Sequence, residues 1–160
     1  MPIRFPFLLA AAILAGCSNI PVGESATTSR GRVEQVDTTR DGTSTAATVD
    51  SYKADLAQRI YAVNSTQVYT TRPQALLRSV VVLKYTVDGG GNLVRSEITR
   101  SNRDRVTEAT ALATLRKSAP FPKPAPHLLR NGRLEMLESW LFNNDGRFQL
   151  RSLALVQMNE

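Results

Sequence analysis

The feature that most constrains the fold is a β-strand signal that runs from Ser79 to Asp88. β-Branched and aromatic residues alternate there, so that one side carries Lys84 and Thr86 while the other side is apolar. The apolar side consists of Val81, Leu83, Tyr85 and Val87. A glycine-rich turn at 88–92 supplies residues that tolerate positive φ, and a second strand returns from Leu93 to Arg100. The chain is therefore expected to contain an antiparallel hairpin.

Two amphipathic helices are predicted around this hairpin. The first is capped by Ser51 and ends in the segment from Asn64 to Pro73; its apolar stripe is Tyr52, Leu56, Ile60 and Val63. The second is capped by Asp104 and ends before Pro120; its apolar stripe is Val106, Ala109, Leu112, Ala113 and Leu115. Both helices are expected to cover the apolar side of a sheet.

A second hairpin closes the domain. Alternating prolines from Pro120 to Pro126 force an extended segment that turns Phe121 into the core. Strands are predicted from Arg133 to Phe142 and from Arg147 to Val156, joined by a turn at 143–146. Three aromatic residues beside that turn belong either to the core, which we favour, or to an exposed binding surface: Trp140, Phe142 and Phe148. The predicted fold is α+β, a small twisted antiparallel sheet with two helices packed on one face, in the order α-β-β-α-β-β.

The N-terminus has the pattern of an export signal. Arg4 precedes an apolar run of about ten residues, which is too short for the roughly twenty that span a bilayer as a helix. The run ends at Leu14-Ala15-Gly16-Cys17, which resembles the lipobox of bacterial lipoproteins. That resemblance implies a signal peptide at 1–16 and lipidation of Cys17; the alternative is a plain secretory signal with an incidental cysteine. Ser18, rather than Asp, follows the cysteine, which by the enterobacterial sorting rule indicates a periplasmic protein anchored in the outer membrane, with the inner membrane as the alternative.

The segment from the lipidated Cys17 to Asp50 is predicted to be a disordered linker. Residues 18–50 contain seven Thr, four Ser, no Leu and no aromatic residue, so they offer little apolar surface to offset the entropy of ordering. The folded domain is therefore expected to comprise residues 51–160 and to need no contribution from the linker.

The predicted domain is basic. Residues 51–160 contain 16 Lys or Arg and 9 Asp or Glu, a net charge of +7. An exported protein does not normally encounter nucleic acid, and the sequence has no RNA-binding motif with interleaved aromatic residues, so nucleic acid is not an expected partner. The remaining partners are anionic lipid headgroups, lipopolysaccharide, peptidoglycan carboxylates or an acidic protein, unless the charge serves solubility alone.

Catalysis has little basis in the sequence. With one His and one Cys, the chain cannot build a four-ligand zinc site or a disulfide framework, and we predict no cofactor, no metal and no small-molecule substrate. His127 lies among prolines without a nearby nucleophile in sequence. Glu135 and Glu138 stand three residues apart in a predicted strand and should therefore face opposite sides. We interpret the protein as a non-enzyme.

Several motifs resemble the C-terminal domain of the TonB family, which is shared loosely with TolA. They lie within about residues 52–156 and are Leu83-Lys84-Tyr85-Thr86-Val87-Asp88 with Asn92, then Ala111-Leu112-Ala113-Thr114-Leu115-Arg116, then Ala119-Pro120-Phe121-Pro122, and finally Trp140 to Phe148. The resemblance implies a domain that binds an extended segment of an outer-membrane transporter as an added strand. The chain departs from TonB in lacking a membrane-spanning anchor with a proline-rich stalk, and Arg72 to Leu77 replaces the family's Tyr-Pro motif.

Together these features predict a membrane-anchored periplasmic lipoprotein that docks envelope or outer-membrane transport proteins by strand addition. The alternative is a structural accessory lipoprotein of a secretion, pilus or other envelope assembly, which should have a broad apolar interface. Because the last strand of the chain is expected to form a sheet edge, the candidate partner-binding residues are Arg147, Phe148, Gln149, Arg151 and Leu153, with the face around Trp140 and Phe142 as the alternative.

Overall fold

The computed structural model describes residues 35–72 and 76–154 and shows an α+β fold. The elements are α1 (Val49–Val63), β1 (Leu77–Asp88), β2 (Leu93–Arg100), α2 (Arg105–Ser118), β3 (Arg133–Asn143) and β4 (Phe148–Leu150), with short 3₁₀ turns at Pro126–Leu128 and Arg151–Leu153. The strands form one antiparallel sheet in the order β2-β1-β3-β4. The predicted fold class is confirmed as an α+β domain with a four-stranded antiparallel sheet and two helices.

One face of the sheet packs against both helices. Alternate residues of β1 are buried, from Val81 to Val87, and alternate residues of β3 join them in the core. Trp140, Phe142 and Phe148 have no exposed surface, so the three aromatic residues belong to the core. The opposite side, which we call the open face, carries Lys84 and Thr86 of β1 as well as residues of β3 and β2.

The turn between β1 and β2 anchors the proline-rich segment. One Asp88 carboxylate oxygen accepts hydrogen bonds from the backbone N–H groups of Gly90 at 2.8 Å and Asn92 at 2.9 Å. The Gly91 carbonyl accepts the Phe121 N–H at 2.8 Å, and the Phe121 ring lies 6.4 Å from that of Tyr85. Phe121 is 4% exposed, which confirms that the segment turns this ring into the core.

Helix α2 buries a different face from the predicted one. Its buried residues are Thr107, Ala111, Thr114, Leu115 and Ser118, whereas Val106 is 65% exposed. The polar residues are tolerated because each finds a partner: the Trp140 indole N–H donates to the Thr114 hydroxyl at 3.1 Å, and the Asn64 amide donates to the Ser118 hydroxyl at 3.1 Å. The apolar stripe expected from periodicity was therefore wrong at Val106, Ala109 and Ala113, where hydrogen bonding decided the orientation.

Residues 37–48, which we call the strap, lie on the domain, although the sequence predicted a linker without contacts as far as Asp50. Lys123 exchanges backbone hydrogen bonds with the strap, donating to the Gly42 carbonyl at 2.9 Å and accepting from Ser44 at 2.8 Å. The Ser44 hydroxyl also donates to the Asp55 carboxylate of α1. Helix α1 then begins with Thr48 as its N-cap, in a reciprocal capping box with Ser51, rather than with Ser51 as the cap. Backbone pairing, which needs no apolar side chain, holds this Ser/Thr-rich segment.

We expect deletion of residues 35–47 to lower the free energy of unfolding by about 1–3 kcal/mol, because it removes two backbone hydrogen bonds and the Asp55 contact. Hydrogen bonds from the hydroxyls of Thr39 and Thr43 lower the pKa of Asp41 from 3.8 to about 2. A carboxyl group whose pKa is lower in the folded state than in the unfolded state stabilises the fold at pH values above its unfolded pKa. This contribution is lost as the pH falls through its folded pKa. Thermal melts of the intact and shortened domains should therefore differ most at pH 7, and the difference should narrow without vanishing as the pH falls from about 4 to about 2, because the backbone hydrogen bonds to Lys123 do not titrate. Equal melting temperatures at pH 7 would contradict a stabilising strap.

Candidate functional site

The outer edge of β4 is closed by the chain itself. The Phe148 N–H donates to the Gln67 carbonyl at 2.9 Å, and the Phe148 carbonyl accepts the Tyr69 N–H at 3.1 Å. The Leu150 N–H donates to the Tyr61 hydroxyl at 3.1 Å. These are the outward-facing groups on which an added strand would pair, so β4 does not offer the free edge that was expected of the last strand.

β4 is also much shorter than predicted. It ends at Leu150 and is followed by the 3₁₀ turn Arg151–Leu153, while the end of the predicted strand at Val156 lies outside the described residues. The Ser152 hydroxyl donates to the buried Glu138 carboxylate of β3, which holds this turn against the sheet. The strand prediction from Arg147 to Val156 was therefore wrong from Arg151 to Ala154.

The predicted partner-binding residues are divided between core and surface. Trp140, Phe142 and Phe148 are fully buried, and Gln149 is 3% exposed. Leu153 is half-buried, whereas Arg147 and Arg151 are exposed. They do not form a common surface.

Arg147 is already occupied within the domain. Its guanidinium donates to the Asp145 carboxylate at 2.8 Å and lies 4.2 Å from the centre of the Tyr69 ring. The pKa of Asp145 is lowered, first by a hydrogen bond from Tyr69 and also by Arg147. A partner would have to compete with these contacts.

Among the residues that the structure describes, a free edge is found instead on β3. The backbone groups of Phe148 bond outward, so Phe148 does not exchange hydrogen bonds with its partner Phe142. Hydrogen-bonded and non-hydrogen-bonded pairs alternate in an antiparallel ladder, so the next pair, Leu141 and Gln149, has backbone groups that face each other between β3 and β4. By alternation, the backbone groups of Ser139, Leu137 and Glu135 point the same way, away from β1. β4 pairs only with residues 140–142, and within the described ranges no strand lies beside Glu135 to Ser139. We call residues 135–139 of β3 the edge gap.

Both ends of the edge gap are closed. At one end, Arg130 and Arg133 exchange backbone hydrogen bonds of 2.8 and 3.1 Å across a tight turn. At the other end, the Glu138 carboxylate accepts the Ser139 N–H at 2.7 Å as well as the Ser152 hydroxyl. Within the described ranges, the donors and acceptors left for a partner are the N–H and C=O groups of Glu135 and Leu137 and the Ser139 carbonyl. This arrangement suits a short extended segment.

Glu135 and Glu138 face opposite sides, as predicted. Glu138 is 2% exposed and packs on the helix side, where its charge raises the pKa values of Tyr61 and Tyr85 in addition to the larger effect of their burial. Glu135 lies on the open face, with its carboxylate 3.7 Å from the Lys84 ammonium. The two carboxylates therefore cannot act together on one substrate.

A groove of about 570 Å³ lies at the edge-gap end of the open face. Its lining is Val49, Lys84, Thr86, Val94, Arg95, Arg130, Arg133, Leu134, Glu97 and Glu135. Lys84 and Arg95 are both paired with Glu97, at 3.0 and 2.8 Å, and these two cations lower the pKa of that carboxyl. The groove thus combines four cationic side chains with two carboxylates and three apolar residues.

The opposite edge of the sheet, β2, is longer but less suited to pairing. Its register with β1 shifts at two places, between Val82 and Leu83 and between Thr86 and Val87. The Arg95 side chain is 73% exposed along it. Bulges and exposed charges are devices that discourage strand addition at an edge. The edge gap of β3 has no register shift within it and no paired strand in the described part of the chain, although the Arg151–Leu153 turn packs against β3 at Glu138.

Other chemistry has little support in the described ranges. The His127 ring Nε2 lies 2.9 Å from the Ala47 carbonyl of the strap, where the ring has a structural contact. No group of three or more His, Cys, Asp or Glu that could hold a metal ion occurs there. The helices of those ranges are all too short or too polar to cross a bilayer. Cys17, the predicted lipidation site, lies outside them.

Sequence reasoning missed Glu135 and Leu137 as edge residues. The available signal was Leu137, an apolar residue on the polar side of a predicted strand, which is 51% exposed in the structure. The length of β4 could not be inferred, because it depends on contacts with Tyr61 and Gln67 that are remote in sequence.

Comparisons of the chain with family models, with curated proteins and with solved structures found no match. The features that bear on function are therefore the edge gap, the groove beside it and the sequence motifs.

Proposed function

We propose that this protein is a lipid-anchored envelope protein whose domain docks another envelope protein by adding an extended segment of that protein to its sheet. The observation that carries the proposal is the edge gap, where the backbone groups of Glu135 and Leu137 have no strand partner among residues 35–72 and 76–154 and lie between two closed ends. Main-chain pairing supplies affinity in this mode, and side chains beside the edge supply selectivity. The resemblance to the TonB C-terminal domain supports the same mode of binding.

The N-terminal motif supports the anchoring half of the proposal. Lipidation at Cys17 would place the domain on a tether of residues 18–36, because the strap from residue 37 onward is held on the domain. Treated as a flexible coil, such a tether has a root-mean-square reach of roughly 25 Å. The domain would consequently work close to its own membrane, where it could meet the periplasmic segments of membrane proteins.

Strand addition can be tested with proline at the centre of the edge gap. We expect Leu137→Pro to weaken binding of a ten-residue peptide of alternating Thr and Val at least about tenfold, because proline removes an outward N–H donor. Binding is measured by NMR titration of the domain. The change should leave the fold intact, because the Leu137 N–H points away from β1 and its side chain is half exposed.

Two control variants separate the backbone effect from side-chain and edge effects. Leu137→Thr retains the N–H and should bind within about twofold of the wild type. Ser96→Pro makes the same change on the outward side of β2 and should also bind within about twofold. Equal affinity of the wild type and a folded Leu137→Pro variant would refute docking at the edge gap. Loss of binding in Ser96→Pro alone would place it on β2.

Apolar residues on the open face support one alternative function, in which the protein is an accessory subunit of a permanent envelope assembly. The register brings Val80 beside Leu141 and Val82 beside Ser139, next to the exposed Leu137. A permanent interface would cover this apolar area as a whole. In that case the domain would co-purify stoichiometrically with its assembly, and the peptide would fail to displace it.

A further inference from the structure

The closed end of the edge gap nearest the groove is built from two opposed arginines. Arg130 and Arg133 flank a two-residue turn in which Asn131 has φ 50° and Gly132 has φ 73°. Positive φ at both central residues, with Asn-Gly in these positions, is typical of a type I′ hairpin turn. Residues that flank such a turn are directly opposite each other, and their side chains project from the same side of the ribbon. Both arginines line the groove.

Neither guanidinium is neutralised by a salt bridge within the described residues, and both side chains are exposed. The surrounding carboxylates are engaged elsewhere. Asp88, the register partner of Arg133, accepts the hydrogen bonds of the 88–92 turn; these bonds, and to a smaller extent the nearby Arg133 charge, lower its pKa, but the two side chains form no ion pair. Glu135 lies beside Lys84. Like charges directly opposite each other on a sheet are destabilising. An anion that bridged them would remove this repulsion.

We propose that Arg130 and Arg133 bind the carboxylate of an acidic residue in the partner segment that occupies the edge gap. This inference rests on the proposed function and specifies the partner: an extended segment that carries Asp or Glu at the end lying beside the turn. Two forked guanidiniums can each donate parallel hydrogen bonds to a carboxylate. The contact would also set the register of the added strand, because it fixes one end of a site whose other end is closed by Glu138.

The lining of the groove favours a peptide over an anionic lipid headgroup. Val49 and Val94 are 41% and 46% exposed there, and Leu134 lies between the arginines and the edge gap. Val49 offers an apolar contact to a segment that enters the groove, whereas Leu134 is 7% exposed in the core and Val94 lies on β2, on the far side of β1 from the edge gap. Glu97 and Glu135, on the same groove, would repel the closely spaced charges of an anionic bilayer surface more than a single carboxylate. The net charge of +7 on residues 51–160 favours an acidic partner at longer range.

The test uses peptides of alternating Thr and Val that carry two Glu at the N-terminal end, two Glu at the C-terminal end, two Lys at either end, or no charge. Of the two Glu peptides, we expect the one whose Glu pair lies beside the arginines to bind the domain at least about tenfold more tightly than the uncharged peptide at low salt. The Lys peptides should bind more weakly than the uncharged peptide. The position of the favoured Glu pair reports the direction of the added strand.

The matched variant is Arg130→Gln with Arg133→Gln, which keeps the turn and its backbone bonds. It should bind the Glu peptide and the uncharged peptide within about twofold of each other, since the charge-assisted contact is gone. Arg103→Gln with Arg105→Gln removes the same charge elsewhere and should preserve the preference for Glu. Equal loss in both double variants would overturn the site and leave only a general charge effect.

Failure of this inference is distinguishable from failure of the proposed function. If the uncharged peptide binds and Leu137→Pro abolishes that binding, but Glu brings no gain, the carboxylate site is refuted and strand addition stands. If the Glu peptide binds with equal affinity to Leu137→Pro, an anion site exists without strand addition and the proposed function falls. Vesicles of phosphatidylglycerol that bind the wild type but not the Arg130/Arg133 double variant, together with no preference among the peptides, would overturn the acidic-peptide proposal.

Discussion

Gly91→Ala is expected to destabilise the domain by roughly 3 kcal/mol or more, because two independent costs combine at this position. Gly91 has φ +82°, a conformation that residues with a Cβ rarely adopt. A Cβ placed there would also lie 2.2 Å from the Phe121 carbonyl oxygen and 3.1 Å from its carbon. Both are backbone atoms of the segment that buries Phe121, so neither can move aside cheaply.

Gly146→Ala provides the matched control. Gly146 has φ +80°, close to that of Gly91, but a Cβ there would meet no atom within 4 Å. Its cost should therefore be only the conformational penalty of about 1–2 kcal/mol. Chemical denaturation of the two variants measures the difference, which isolates the clash with Phe121. Equal destabilisation by both changes would show that the close approach of Gly91 to Phe121 contributes nothing.

Cys17→Ala is expected to release the protein almost completely from the membrane fraction. If Cys17 carries the acyl chains, the alanine variant loses every one of them, and stable attachment needs at least two lipid signals. Fractionation after metabolic labelling with a fatty acid measures both the label and the location. Gly91→Ala, which leaves the N-terminal motif intact, should still take up label.

Two outcomes of the labelling experiment would contradict the anchor. Label retained by Cys17→Ala would refute lipidation at this residue. Membrane association without label in the wild type would favour attachment through a protein partner, which the Leu137→Pro variant would then reduce.

The elements that could be predicted from sequence are those whose signals are local. The alternation from Val81 to Val87 identified β1 and its buried face, and β2 has the predicted bounds. Asp104 was correctly predicted as the N-cap of α2, since its side chain accepts the N–H groups of Val106 and Thr107. Capping and strand alternation depend on residues within a few positions of each other, so they can be recognised without knowledge of the fold.

The misassigned features depend on contacts between remote residues. Periodicity favoured Val106 for the buried face of α2, but Thr107 and Thr114 face the sheet because Ser79 and Trp140 offer them hydrogen bonds. The strap is held by Lys123, about eighty residues from it in sequence. Nothing in the local pattern of either segment indicates these partners.

The candidate site divides in the same way. The sequence by itself determined the α+β class, the segregation of Glu135 from Glu138 and the motif at Cys17, because strand alternation and short motifs are local properties of the chain. Only the tertiary structure decided which edge is left without a strand partner in the described part of the chain. Gln67, Tyr69 and Tyr61 close β4, and β4 is too short to cover residues 135–139 of β3. An edge is defined by what lies beside it, and that neighbour is set by the folding of the whole chain.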